Sequence, residues 1–264
     1  MAGSPLFWAQ MLRKQAGLGD TCPTDLDHLL TWCEIELAEL PLSGFLGMHM
    51  CVEGQHGIMI KEGQNPGQRR FTIAHELGHF AIPHHSTPGV RECLEDDLVG
   101  VRVSGPVERE ANEFAAELLM PRAPFARDIA HRPACFRSVK ELAAPAKYDV
   151  SVTACALRWI NLCPDPCALV CVEGGRIKWK WGAAGFKYAL PQNGSTVPAE
   201  SIAAAVLRGE APCDEAETIP CWSWIHPRRN TKEVLESTFY IPALDQVLSL
   251  IAVVEEDRET EEDD

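Results

Sequence analysis

The sequence predicts an α+β fold in two lobes, and three observations carry that expectation. Helical periodicity fills most of the first lobe and is interrupted by one pair of strand-like runs. After Pro164 and Pro166 the pattern turns to short strand-like runs. A chain of 264 residues with 46% hydrophobic content can bury one substantial core and a second, smaller one. The expected divisions are a first lobe over 1–163, a mixed α/β lobe over 164–254, and a disordered acidic tail over 255–264, where Arg258 is the one base among acids.

Residues 1–45 read as mostly helical, 25–40 most clearly. A hairpin follows, with runs 48–53 and 58–61 on either side of a turn at 54–57. A polar Gly/Pro loop then leads into a helix over 71–82. Its residues Ile73, Ala74, Leu77, Phe80 and Ala81 form an apolar stripe, and His75 and His79 lie on the other side. Pro106 suits the first turn of a second helix that Pro121 stops. In it Val107, Ala111, Phe114, Ala115 and Leu118 make a core stripe, Glu110, Glu113 and Glu117 an acidic one, and Glu108 and Asn112 border the core on the other flank. Segments 138–146 and 151–162 are short helices, the second opened by Val150 and an N-capping Ser151, so 138–162 reads like a helix–turn–helix. In the second lobe, strands are expected at 168–173, 176–181, 218–225, 237–241 and 247–254, with a helix near 199–208. Trp179 with Trp181, and Trp222 with Trp224, alternate on such strands, so each pair should share a face as core.

His75-Glu76-Leu77-Gly78-His79 is the stretch that carries chemistry. HExxH on a helix puts two imidazoles one turn apart on one face, where both can reach one cation at about 2.0–2.1 Å. Glu76 lies about 100° round the helix, placed to act as a base toward water. The arrangement reads as a zinc peptidase centre. A catalytic zinc usually takes three protein ligands, and two residues compete to be the third. His85 has the spacing of a longer motif that requires Gly where this chain has Ile82 and Pro83, whereas Glu108 borders the core of the next helix. Glu108 is the better placed, though a first-turn Glu is also favoured by the helix dipole alone.

FTIAHELGHF followed by EREANEFAAELLMP resembles the ImmA/IrrE family of zinc metallopeptidases, and the resemblance extends over about 45–162. It implies a zincin-like fold for the first lobe, zinc held by His75, His79 and Glu108, Glu76 as the general base, and Asn112 as a residue one turn below Glu108 that orients a ligand. It also implies a narrow substrate: a helix–turn–helix repressor protein, cleaved in stress response or mobile-element control. The segment 58–61 is the expected edge strand for pairing with an extended substrate. Tyr148, His84 and His85 are candidates for stabilising the oxyanion.

Composition narrows the partners. The net charge is −14, and 138–162 offers only Lys140, Lys147 and Arg158 as cations, too few for a duplex-binding surface. Eleven cysteines, an odd number, argue for reduced thiols and a cytoplasmic protein, and no apolar run is long enough for a membrane span. The function expected is that of a zinc-dependent endopeptidase. The alternative is a non-catalytic regulatory protein that binds a partner or DNA and has a structural metal, with Asp96 or Asp97 as a fourth ligand.

Overall fold

The computed structural model describes residues 3–85, 89–93 as backbone, 105–226 and 233–253. Two compact units form, Met1–Arg127 with Glu141–Cys155, and Asp128–Lys140 with Ala156–Asp264. The chain crosses between them three times, whereas the sequence reading has one crossing after 163. The expected tail at 255–264 lies outside the described residues. Among the described residues, eight α-helices and two sheets make the architecture a mixed α/β one.

The first unit begins with α1 (Pro5–Gln15) and α2 (Leu26–Trp32). Asp25 caps α2 by accepting from His28 N at 2.9 Å, but the helix does not run to residue 40 as its periodicity predicts. Glu34 turns the chain with φ +55°, and Ile35–Leu40 becomes strand β1, paired in parallel with β3 (Gln55–Lys61). A partner strand supplies backbone hydrogen bonds that override local helix propensity. The hairpin forms as expected between β2 (Gly47–Val52) and β3, with a tighter turn at Glu53 and Gly54, φ +52° and +81°. The sheet order is β1-β3-β2-β4, where β4 is Gly89–Cys93. This corrects the edge-strand expectation: 58–61 lies in β3, which has neighbours on both sides.

The long helix α3 (Pro66–Ala81) packs on β2 and β3 and against α4 (Pro106–Leu119), which in turn packs on α1. Ile73, Ala74 and Leu77 of α3 and Ala111, Phe114, Ala115 and Leu118 of α4 are fully buried, as the two stripes predict. Glu117 is not on a solvated stripe: it is buried, accepting from Gln10 Nε2 at 2.9 Å and Arg122 N at 3.1 Å. Buried Arg13 ties down the end of α4, donating through Nη1 to Leu118 O at 2.6 Å and Thr24 Oγ1 at 2.7 Å. Helices α5 (Arg122–Ile129), α6 (Phe136–Ala143) and α7 (Val152–Leu162) follow. Ser151 caps α7, its Oγ accepting from Ala154 N at 3.1 Å.

The second unit is built on an antiparallel sheet ordered β6-β5-β9-β8-β7, from β5 (Cys167–Glu173), β6 (Arg176–Gly182), β7 (Glu217–Pro220), β8 (Glu233–Ile241) and β9 (Gln246–Val253). Helix α8 (Ile202–Leu207) lies against β8 and β9. Fully buried Glu236 accepts from Ile202 N at 2.8 Å, Ala203 N at 3.0 Å and Ser249 Oγ at 2.5 Å. The expected strand over 218–225 ends at Pro220, which leads into a 3-10 turn, Cys221–Ser223. Trp222 is therefore 63% exposed while Trp224 is buried, so this pair does not share a face, and of the other pair Trp179 is core but Trp181, at the end of β6, is exposed.

Candidate metal centre

The site is assembled by two helices whose ends the sequence fixes. Asn65 caps α3, accepting from Gln68 N at 2.9 Å, and Pro66 occupies its first turn. Ile82 is extended ahead of Pro83, which cannot continue the helix. Gly78 lets α4 come close: a Cβ there would lie 3.1 Å from Phe114 Cδ1 and 3.2 Å from Ala111 Cα. A side chain at this position would push α4, and with it Glu108, away from the two histidines.

The donor atoms converge at this helix pair. His75 Nε2 lies 3.0 Å and His79 Nε2 3.3 Å from Glu108 Oε2, and the two imidazole nitrogens are 3.1 Å apart. A tetrahedral ion with bonds of about 2.0–2.1 Å spaces its ligands about 3.3 Å apart, so the triangle has the right size. Among the described residues the group holds three donors, and both histidines are buried. Behind His75, Asn112 Oδ1 lies 2.9 Å from Nδ1 and accepts its proton. That leaves the neutral imidazole with a lone pair on Nε2, facing a carboxylate and a second imidazole. Acceptors set against acceptors need a positive charge between them. In the absence of an ion a proton supplies that charge: burial pushes His75 down, but Glu108, which accepts from Nε2 of the protonated ring, and the charges of Glu76 and Glu108 more than reverse it. Burial likewise pushes Glu108 up, and its bonds to His75 and His79 hold it well below the usual carboxylate range. This donor set could hold a divalent metal.

Glu76 is fully buried one residue after His75. It faces Gly47 at the start of β2, a residue that sequence reasoning missed. Its one signal is a glycine opening a strand without a turn to require it. The three candidates for stabilising the oxyanion lie in the same unit. His85 packs its ring against His79, centroids 5.2 Å apart, but pairs with Glu110, as does His84. Tyr148 is buried with its ring against Phe125. Asp96 and Asp97 lie outside the described residues. In the second unit, Trp222 and Trp224 border a cavity of about 460 Å³ with Leu190, Pro191 and Pro198.

A mixed α/β unit in which an HExxH helix meets a carboxylate from a second helix is the pattern of a metalloprotease family. Comparison with known proteins names it. Residues 33–159 match the family model described as the IrrE N-terminal-like domain, the stretch on which the resemblance to the ImmA/IrrE family rests. The chain is 31% identical over 180 residues to the radiation response metalloprotease IrrE of Deinococcus deserti, and 26% identical over 183 residues to that of Deinococcus radiodurans. Each match covers 62% of this chain, and the chain spans 62% and 55% of the lengths of these two curated relatives. A solved structure of a Mycobacterium tuberculosis transcriptional regulator, 16% identical, shares the fold with a TM-score of 0.58 over 95% of this chain and 88% of its own. Among the described residues no helix is long and apolar enough to cross a membrane.

Proposed function

We propose that this chain is a zinc-dependent endopeptidase that cleaves a helix–turn–helix repressor, as part of a stress response. The observation that carries the reading is the 3.0–3.3 Å triangle of His75, His79 and Glu108 with Glu76 buried beside it. Two imidazoles and a carboxylate suit zinc, and the three-residue set found among the described residues leaves a position for a reactant. Zinc, when bound there, supplies Lewis acidity toward water and toward a peptide carbonyl. Glu76 takes a proton from the attacking water and returns it to the leaving amine. Asn112 holds His75 in the tautomer and orientation that a ligand requires. Burial of these groups strengthens each charge interaction in the site.

The substrate class is the one that the family resemblance implies, and relatives named for the radiation response support the stress-response part of the reading. Three side chains support a route through a partner protein instead of direct contact with DNA. Lys140 is paired with Asp214 at 2.6 Å, Lys147 lies over the Tyr148 ring at 5.5 Å, and Arg158 is buried.

The test is incubation of the zinc-loaded protein with helix–turn–helix repressors from the same genome, with fragments read by mass spectrometry. The parent should cut one of them at one or a few bonds, and Glu76→Gln should keep its zinc and lose cleavage by roughly 10²-fold or more. Equal cutting by parent and Glu76→Gln overturns the reading.

A further inference from the structure

One turn of chemistry is repeated beside the first centre. Glu110 Oε2 lies 2.5 Å from His84 Nε2 and 2.9 Å from His85 Nε2, with the three donor atoms within 4.8 Å of one another. These are the donors of the first centre again: two imidazole nitrogens converging on one carboxylate oxygen. The elements are also the same, since Glu110 stands two residues after Glu108 on α4, and His84 and His85 form the 3-10 turn Pro83–His85 that follows α3. His85 is buried and packed on the ring of His79, so one ligand is already fixed in place. His84 and Glu110 have side chains 45% and 32% exposed, which leaves the group reachable from solvent.

We propose that His84, His85 and Glu110 form a second zinc site, weaker than the first. Imidazole with carboxylate selects zinc and its transition-metal neighbours over calcium and magnesium, which favour all-oxygen sets. The site is weaker because two of its three ligands must be ordered from solvent, whereas His75 and His79 are buried and His75 is already held by Asn112. The competing account is that both imidazoles simply donate N–H groups to Glu110, with no ion between them.

Zinc titration of the full-length, metal-stripped protein against a chromogenic chelator separates the two accounts. The parent should bind two equivalents, the second about tenfold or more weakly than the first. His84→Ala at an exposed position and Glu110→Gln at a half-buried one should each abolish the weak event and keep the tight one. Glu108→Ala should do the reverse, so a failure of the first centre is read separately from a failure of this one. A parent that binds one equivalent overturns the proposal, and so does a second event that survives both His84→Ala and Glu110→Gln.

Discussion

A methyl group on Gly47 would stand 2.7 Å from Glu76 Oε1 and 2.5 Å from Thr72 Cγ2. The start of β2 thus gives the carboxylate its room, through a missing side chain and not through unusual backbone. Gly47 has no positive φ, so any residue could adopt its conformation and only the space excludes one.

Gly47→Ala should therefore displace Glu76 while leaving the metal donors in place. Turnover of a cleaved repressor is expected to fall on the order of 100-fold, the scale of an ångström-level misplacement at a reacting group. Zinc content should remain near the parent's. Metal analysis beside a cleavage assay checks both, and parent-like turnover would show that the strand end and Glu76 are uncoupled.

Asn112→Leu keeps roughly the volume of the side chain and removes the acceptor for His75 Nδ1. Tight zinc binding should weaken by about 10–100-fold, read by chelator competition. An unchanged affinity would mean that packing alone orients His75.

Glu236 gives the second unit a pH dependence of definite sign. Burial pushes its carboxyl above the ordinary value of 4.5, against the hydrogen bonds from Ser249, Ile202 and Ala203 that favour the ionised form. The folded state holds this proton more tightly than the unfolded chain does. Its contribution to stability is whole below about 4.5 and is lost as pH rises through the raised value. Glu236→Gln costs about 1–3 kcal/mol because its amide nitrogen meets a backbone N–H where an acceptor is needed. Urea unfolding followed by tryptophan fluorescence should show the gap between parent and Glu236→Gln narrowing from pH 4 to pH 8. A gap that widens would reverse the assignment.

The purified chain should not shift duplex DNA from its own promoter region at near-physiological salt. Its net charge is −14, and the cations of 138–162 are paired, buried or stacked. Specific submicromolar binding with steep salt dependence would favour direct regulation instead.

Where spacing alone decides geometry, the sequence was readable. His75 and His79 are one helical turn apart in any α-helix, and the two apolar stripes at Ile73–Leu77 and Ala111–Leu118 follow from the same period. What stayed hidden depends on partners distant in the chain. Nothing local in 35–40 announces a strand, because β1 exists through its pairing with β3. Asn112 could be placed one turn from Glu108, but its bond to His75 needs the α3–α4 crossing that Gly78 permits. Trp222 and Trp224 break their alternation because the backbone coils into a turn after Pro220, and a pattern of period two cannot report that.

His79 and Glu108 are 29 residues apart in the chain, yet their donor atoms meet at 3.3 Å. An ion gripped by both closes that span as a staple would, removing freedom from the unfolded chain that folding must otherwise overcome. The consequence reaches beyond chemistry at the site. Metal supply would set how long the first unit survives heat or proteases, so a shortage of zinc would lower the amount of intact protein as well as its activity.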